Sequence, residues 1–228
     1  MENIPITTDK IRINSLFKPG RSIAWEFLSQ FTWLWEALPE IGDYILQAGS
    51  SLNNAQYNLL PNNVWIHKTA TVAPTAYIGN STIIGAGAEV RHCAFIRGNA
   101  IIGNGTLVGN STELKNVILF DEVQVPHYNY IGDSILGYKS HMGAGAITSN
   151  VKSDYSLISV FCEDIRIDTN LKKFGAMLGD HVEIGCNSVL NPGSIVGANT
   201  TVYPLSYVRG FVSANSIYKK QGEIVEKH

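Results

Sequence analysis

The chain has 228 residues, of which 45% are hydrophobic and 16% are charged, a balance that is typical of a folded globular protein and argues against an intrinsically disordered one. A formal net charge of −2 supplies no basic surface, so we expect neither nucleic acid nor an anionic membrane as a partner. Three cysteines without a CxxC pair argue against a disulfide framework and indicate a reducing compartment, which we take to be the cytoplasm.

Residues 1–60 are predicted to form an N-terminal helical region. Within residues 22–48, apolar side chains recur at helical spacing and form one stripe that ends before Pro39. These side chains are Ala24, Phe27, Leu28, Phe31, Leu34, Trp35 and Leu38. We expect the tryptophans of this segment to pack against the rest of the protein. No apolar run approaches the roughly 20 residues that a membrane-spanning helix needs.

After residue 63 the hydrophobic pattern changes to a period of six. Aliphatic residues follow one another at this interval without a break: Ile66, Val72, Ile78, Ile84, Val90, Ile96, Ile102, Val108 and Leu114. Small residues lie four positions after the first eight of them: Ala70, Ala76, Thr82, Ala88, Ala94, Ala100, Thr106 and Thr112. Neither an amphipathic helix nor a simple strand produces this period.

A repeat of six predicts a mainly β protein, namely a parallel β-helix of hexapeptide repeats, in which three short strands make one coil of a triangular prism. The aliphatic column would fill the interior, and the small column would let the corners close. We assign residues 61–212 to this β-helix and residues 213–228 to a C-terminal tail. Residues 151–175 break the repeat but preserve its phase, so we predict that they form a loop excursion from the prism.

The repeat resumes in a different phase at Tyr130 and Leu136, which places a register slip between Phe120 and Tyr130. His127 lies inside this predicted slip. An irregularity in a strict solenoid points side chains outward, as bulges do beside functional sites. With an unperturbed pKa near 6.5, a histidine can accept a proton at neutral pH, so His127 is a candidate general base. A purely structural histidine is the alternative.

Residues 18 apart stack on successive coils, so Arg97 and Lys115 are expected to project from one face, about 4.8 Å apart along the axis. Two stacked cations repel unless an anion lies between them, and a phosphate suits an arginine fork beside a lysine. The spacing leaves a second interpretation open, in which the two side chains form ordinary ion pairs with Glu113 or Asp133.

Two stretches resemble a known family. The segment NSTELKNVILFDEVQVPHYNYIGDSILGYKSHMGAGAITSN resembles the acetyltransferase half of the bifunctional enzymes of UDP-N-acetylglucosamine (nucleotide sugar) biosynthesis, and KKFGAMLGDHVEIGCNSVLNPGSIVGANTTVYP resembles the archaeal-type version. The similarity spans roughly residues 64–212. It implies a left-handed coil, acetyl-CoA as the acyl donor, glucosamine 1-phosphate as the acceptor, and a homotrimer with sites between the subunits.

The resemblance also implies roles for individual residues. His127 would be the general base that takes a proton from the sugar amine, and Arg97 and Lys115 would hold the sugar phosphate. The other implied contacts are Tyr130 and Asn150 with phosphate or sugar, Ala144 with the acetyl-CoA thioester through its backbone, and Cys186 with the CoA channel. A backbone N–H within residues 143–145 could stabilise the oxyanion that forms on the thioester carbonyl.

Two departures from the family pattern bear on function. His141 occupies the place of a sugar-contacting asparagine, so the identity of the sugar is open. The N-terminal 60 residues are far too short for the nucleotidyltransferase domain, so we do not expect this chain to make the nucleotide sugar by itself. A non-catalytic trimeric scaffold, or a regulatory partner of a separate nucleotidyltransferase, is therefore the alternative function.

The γ-type carbonic anhydrases use the same prism and bind zinc through three histidines between subunits. This chain offers no H-x4-H pair, and the 14 residues between His127 and His141 are not a multiple of 18. Because zinc needs convergent ligands, we expect no metal site.

Overall fold

In a computed structural model that describes residues 6–220 and 223–227, short parallel strands stack along one axis, and helices lie along one side of the stack. The helices precede the stack in the chain. They are the α-helices Ile13–Leu16, Trp25–Leu28 and Ile41–Ser50 and the 3-10 helices Ile6–Ile11 and Leu34–Glu40.

Each coil contributes one strand to each of three faces, which we name the covered, polar and open faces. The covered face consists of Val64–His67, Thr82–Ile84, Ala100–Ile102, the second halves of Glu113–Leu119 and Tyr130–Leu136, Ala176–Leu178, Ser194–Val196 and Phe211–Val212.

The polar face follows the covered face in each coil. It consists of Thr71–Val72, Glu89–Val90, Leu107–Asn110, Gln124–His127, His141–Met142, Glu183–Ile184, Thr201–Val202 and Ser216–Lys220. The open face completes each coil. It consists of Tyr77–Ile78, Phe95–Ile96, the first halves of Glu113–Leu119 and Tyr130–Leu136, Ile147–Thr148, Val189–Leu190 and Tyr207–Val208.

Three antiparallel pairings lie outside these ladders. Strand Tyr57–Leu60 pairs with the first strand of the covered face, and Glu223–Glu226 pairs with the last strand of the polar face. Within the predicted excursion of residues 151–175, strands Ser159–Cys162 and Ile165–Asp168 form a hairpin. Part of the segment assigned to the tail, Ser216–Lys220, continues the polar face, because it pairs in parallel with Thr201–Val202.

The predicted interior column is fully buried in the middle of the prism, and the predicted mainly β solenoid of hexapeptide repeats is thereby confirmed. The column is continuous, but its spacing shortens at two corners. The buried residues Leu114 and Leu119 are five positions apart, and so are Ile131 and Leu136. Coil length falls accordingly from 18 residues, between Ile96 and Leu114, to 17 in the next two coils.

The prediction of a slip between Phe120 and Tyr130 is wrong. Ile131, and not Tyr130, occupies the interior column, so the repeat runs through this region without interruption. Two corners between the open and covered faces are one residue shorter than the others. They contain Asn116 and Asp133, with φ of 55° and 48°. Asparagine and aspartate tolerate this left-handed conformation better than most residues.

The outward column of the covered face is as apolar as the interior. Its residues in the middle coils are Ile83, Ile101, Ile118, Ile135, Met177 and Ile195, each at most 1% exposed. The N-terminal helices cover them with Leu16, Leu28, Leu34, Trp35, Leu38, Ile41 and Ile45. This face therefore has a core on both sides, as strands in α/β proteins do.

The stripe within residues 22–48 is buried except for the partly buried Phe31, but it does not form one helix. The α-helix ends at Leu28, a 3-10 helix runs from Leu34 through Pro39, and a second α-helix begins at Ile41. Proline has no backbone N–H and limits helix geometry around it, which is consistent with a 3-10 segment at this point. Within residues 6–220 and 223–227, no helix has both the length and the hydropathy to cross a membrane.

Candidate functional site

His127, Ala144 and Cys186 stack on successive coils at the corner between the polar and open faces. Backbone hydrogen bonds join them: Gly145 N donates to His127 O (3.0 Å), and Asn187 N donates to Ala144 O (2.8 Å). The three positions are therefore separated by about 4.8 Å per coil along the axis. The structure brings together the residue expected to act as the base and the two residues expected to contact the acyl donor.

A groove of about 250 Å³ runs beside this column. It is lined by Gly143, Ile184, Cys186, Val202 and Pro204, together with His141 and Glu183. Added side-chain atoms at Gly143 would meet Cys186 N at 2.7 Å, so glycine is required for the coils to approach this closely. The groove is open and mostly apolar in its lining, which suits a flexible aliphatic chain with a few amide groups.

Among the backbone N–H groups at residues 143–145, only that of Ala144 is available. Gly143 N donates to Ile184 O (2.7 Å) and Gly145 N to His127 O, whereas Ala144 N makes no hydrogen bond within the described residues. Of the backbone N–H groups that we predicted as oxyanion donors within residues 143–145, that of Ala144 remains the candidate.

Asn129 holds this corner from the inside, a role that the sequence analysis missed. Its side chain is 2% exposed and donates to Gly143 O (2.8 Å) and Ala146 O (3.0 Å), while its oxygen accepts from His127 N (3.1 Å). One buried amide thus fixes both the backbone of His127 and the turn that follows it one coil later. Burying a polar side chain costs free energy unless its polar atoms are hydrogen-bonded. An asparagine at a corner position that is expected to be buried therefore indicates a hydrogen-bonding role.

The His127 imidazole itself points outward and is exposed. Within residues 6–220 and 223–227 it has no hydrogen-bond partner, so nothing described in this chain orients the ring. The neighbouring Tyr128 has φ of 52° and is 65% exposed.

Asp133 is the centre of a second group of predicted site residues, at the corner between the open and covered faces. Its carboxylate accepts from Lys115 Nζ (2.8 and 3.0 Å), from Asn116 Nδ2 (3.0 Å) and from Asn150 Nδ2. The Asp133 side chain is 5% exposed and that of Lys115 is 25% exposed. The buried carboxylate is therefore compensated within the chain, as buried charges must be.

Arg97 lies one coil before Lys115 at the same position of the open face, as the 18-residue spacing predicts. Its Nη1 donates to Glu113 Oε1 (3.0 Å), and the two side chains are 47% and 32% exposed. Each of the two stacked cations thus has a carboxylate partner, which is the second interpretation of their spacing. The argument that these cations lack a counter-ion does not hold for the structure.

Tyr130 completes this group. Its hydroxyl lies close to Gly132 and to the amide of Asn150, which hydrogen-bonds to it. Burial raises the pKa of the Tyr130 hydroxyl, and the carboxylates of Asp133 and Glu113 raise it further. The hydroxyl therefore remains a hydrogen-bond donor at neutral pH.

The two groups lie on opposite edges of the open face. His127 is at the edge shared with the polar face, and Lys115 is at the edge shared with the covered face. Their columns are five residues apart along a coil, as from Asn110 to Lys115, which is at most roughly 17 Å. Arg97 and Lys115 are long enough to reach part of this distance. The open face between them is where one ligand could contact both groups.

His141, which was expected to contact the sugar, is not part of the group formed by Arg97, Lys115 and Asn150. It is on the polar face, where its Nδ1 is 2.8 Å from Glu183 Oε2, and it lines the groove beside Cys186. The structure therefore places it toward the expected donor side. Within the described residues, no three histidine, cysteine or acidic side chains converge as metal ligands, and His228 is outside those residues.

Comparison with known families agrees with the motifs. A model described as the GMPPB C-terminal domain matches residues 87–178, and one described as bacterial transferase hexapeptide (six repeats) matches residues 60–92. The predicted resemblance to bifunctional nucleotidylyltransferase/acetyltransferases is confirmed for about half of the chain.

Two archaeal relatives illustrate this. The bifunctional sugar-1-phosphate nucleotidylyltransferase/acetyltransferase of Sulfurisphaera tokodaii is 31% identical over 47% of this chain and 27% of its own length. The bifunctional protein GlmU of Methanococcus aeolicus is 33% identical over 50% of this chain and 28% of its own length. The chain thus spans less than a third of these relatives.

Solved structures with a similar arrangement include a hexapeptide transferase family protein from Anaplasma phagocytophilum, with 16% identity, a TM-score of 0.42, and 72% of this chain and 79% of that chain covered. Another is the acetyltransferase domain of PglB from Neisseria gonorrhoeae in complex with acetyl coenzyme A, with 17% identity, a TM-score of 0.32, and 68% and 53% covered.

Proposed function

We propose that this chain is an acetyl-CoA-dependent N-acyltransferase whose acceptor is an amino-sugar 1-phosphate such as glucosamine 1-phosphate. The observation that carries the proposal is the column of His127, Ala144 and Cys186, in which the Ala144 N–H donates no hydrogen bond within the described residues and lies beside an open, mostly apolar groove. A base, an oxyanion donor and a channel for an acyl chain are the three parts that acyl transfer to an amine needs. The name of the Sulfurisphaera tokodaii relative, which includes sugar-1-phosphate and acetyltransferase, supports the substrate class.

In this proposal the acceptor lies on the open face. Arg97 would bind its phosphate, because the exposed pair with Glu113 is weak and can be exchanged at little cost. Lys115 is less free to move, since its partner Asp133 is buried and would lose the one cation that pairs with it in the described part of the chain. Lys115 would therefore contribute a fixed positive charge, with the Tyr130 hydroxyl and the Asn150 amide as neutral contacts.

The amine nitrogen would attack the thioester carbonyl carbon. His127 takes a proton from the nitrogen as the new C–N bond forms, and the Ala144 N–H donates to the carbonyl oxygen as it gains negative charge. Collapse of this intermediate breaks the C–S bond, and the protonated His127 gives its proton to the leaving sulfur, so that CoA is released as the thiol. The groove beside Cys186 would hold the pantetheine arm during both steps.

A homotrimer with sites between subunits is part of the proposal. The exposed His127 ring has no orienting group within the described residues, and a second copy packed against the open face could supply one. Sedimentation of the full chain would then give the mass of a trimer, and a monomer at the concentration of the activity assay would contradict this part. A cytoplasmic location also remains a prediction.

The test is a screen for thiol release from acetyl-CoA. We expect release with glucosamine 1-phosphate or galactosamine 1-phosphate, and much slower release with the unphosphorylated amino sugars, because Arg97 and Lys115 would lack their ligand. If none of the amino sugars leads to thiol release, the proposal is contradicted.

A second candidate is a non-catalytic scaffold or a regulatory partner of a nucleotidyltransferase. The pairing of His141 with Glu183, in place of a contact with the acceptor, favours it. Binding of acetyl-CoA and glucosamine 1-phosphate by calorimetry, without any thiol release, would establish this candidate over the enzyme.

A further inference from the structure

A second polar pocket lies farther along the edge between the open and covered faces. It has a volume of about 360 Å³, and the side chains that matter here are Ser149, Lys152, Ser153, Asp154, Asn191 and Arg209. Ser149, Asn191 and Arg209 each follow an interior residue on successive coils, so they form one column with a rise of about 4.8 Å per coil. The column begins beside Asn150 of the candidate acceptor site.

Within the described residues, neither cation of this pocket, Lys152 or Arg209, forms an ion pair, although Asp154 and Asp168 lie near enough to Lys152 to interact with it electrostatically. Within residues 6–220 and 223–227, the Arg209 guanidinium has no ion pair or hydrogen bond, in contrast to Arg97 and Lys115. The Lys152 ammonium donates only to uncharged groups, Leu157 O (2.7 Å) and Ser156 Oγ (3.4 Å). Two cations therefore share the pocket with one carboxylate, that of Asp154.

The role of the remaining polar groups follows from their partners. Asn191 Nδ2 is held by Val208 O (2.9 Å), so Asn191 forms part of the floor and is not a free donor. Asp154 accepts from Ser156 N (3.0 Å), which keeps its carboxylate within the loop. Arg209, Lys152 and the Ser149 hydroxyl remain as donors for a ligand.

We propose that this pocket binds a phosphoryl group, with Arg209 and Lys152 as its charged contacts. An arginine fork beside a lysine matches the geometry and charge of a phosphate or diphosphate. The site goes beyond the proposed function and does not depend on it. The same phosphate chemistry could come from the acyl donor, from the acceptor or from a separate phosphorylated ligand, and competition distinguishes these sources.

Titration calorimetry of the full chain with inorganic pyrophosphate tests the proposal. We expect Arg209→Gln and Lys152→Gln each to weaken binding by about 10- to 100-fold, the effect of losing one hydrogen bond to a charged group. The control Arg91→Gln removes an arginine on the polar face that is paired with Glu89, and it should bind as the wild type does. Because Arg209 is exposed and unpaired, its loss should leave the melting temperature unchanged.

Two results would overturn the proposal: no pyrophosphate binding by the wild type at millimolar concentration, or equal affinity in Arg209→Gln and the wild type. If binding is present, displacement of pyrophosphate by CoA but not by glucosamine 1-phosphate assigns the pocket to the donor, and the reverse assigns it to the acceptor. Displacement by neither assigns it to a separate phosphorylated ligand. These results stand whether or not thiol is released, so the proposed function can fail independently.

Discussion

The covered face and the open face are built from the same ladder of parallel strands, but their outward side chains have different surroundings. On the covered face, aliphatic side chains such as Ile118 and Ile135 lie beneath the N-terminal helices. The open face has Tyr77, Phe95 and Tyr207 at 61%, 42% and 56% exposure. Glu113 interrupts this aromatic column, Tyr130 continues it one coil later, and Ile147 and Val189 occupy the next two positions.

Because both faces have the same coil geometry, their outward side chains decide whether a face is structural or available to a ligand. A column of aliphatic residues with a helical cover contributes stability, because its burial removes apolar surface from water. A column with exposed aromatic residues and charged neighbours remains available to a ligand or to a second copy of the chain. Four experiments can break or sharpen this division between a structural face and a functional one.

The largest effect is expected at the edge of the open face. His127→Ala should lower the rate of thiol release by about 10² to 10⁴, because the amine loses its proton acceptor. His92 is two coils earlier in the same column, with its ring bonded to Thr75, and His92→Ala is the matched control. Equal rates for the wild type and His127→Ala would remove the base from the proposal.

Under the covered face, Trp35→Ala should reduce the free energy of unfolding by about 3 to 5 kcal/mol, since Trp35 is 2% exposed and packs near Phe174. Trp33 stacks on Trp35 but is only partly buried, so Trp33→Ala should cost less. Denaturant unfolding of both variants gives the comparison. Similar losses of unfolding free energy in the two variants would mean that burial of Trp35 is not what stabilises the packing of the N-terminal helices on the covered face.

Lys115 and Arg97 lie in one column, but we expect Lys115 to contribute to stability and Arg97 to contribute mainly to binding of the acceptor. Lys115→Met should destabilise the fold by about 1 to 3 kcal/mol, because the buried Asp133 carboxylate loses its cation. Arg97→Gln should leave stability within about 0.5 kcal/mol, as an exposed pair contributes little, and should raise the KM for the acceptor. Thermal unfolding and steady-state kinetics on both variants check this, and a large stability loss in Arg97→Gln would contradict it.

The smallest effect is a pH dependence at Asp180, which joins the cover to the prism by accepting from Lys18 N and Tyr138 N, both at 2.8 Å. Burial raises the pKa of Asp180, so the folded state holds this proton more tightly than the unfolded state does. Its favourable contribution is present below about pH 4 and is lost as pH rises through the raised pKa. The stability of the wild type relative to Asp180→Asn should therefore fall between pH 4 and pH 7.

Asp154 provides a control of opposite sign. Hydrogen bonds from Ser156 lower the pKa of Asp154, so its contribution is present above about pH 4 and is lost as pH falls through the lowered pKa. Melting temperatures of Asp180→Asn and Asp154→Asn between pH 3 and pH 7 should show opposite trends relative to the wild type. Parallel trends would contradict the assignment at Asp180.

Much of the fold was predictable because the repeat is visible in residue types. Interior positions such as Ile84 and Val108 must be aliphatic, and corners must be small, so a period of six is sufficient to recognise the coil. The covering stripe was also recognisable, although its break near Pro39 was not, since the tertiary contacts of that segment decide its helix type.

The location of the slip could not be predicted, because residue type does not mark a shortened corner. Asn116 and Asp133 have positive φ at the two short corners, but Ser81 and Asn99, each with φ of 50°, lie at corners of full length. Arg97 and Lys115 were correctly stacked by arithmetic, but their carboxylate partners depend on side-chain positions that spacing does not supply. The sequence likewise places Arg209 directly after the interior Val208, but that it forms no ion pair within the described residues depends on side-chain positions.

The most direct test is formation of the acetylated product. The full chain, with acetyl-CoA and glucosamine 1-phosphate, should yield N-acetylglucosamine 1-phosphate by mass spectrometry, and the yield should fall by at least about 100-fold in His127→Ala. Absence of that product with the wild type, or an undiminished yield in the variant, would contradict a catalytic open face.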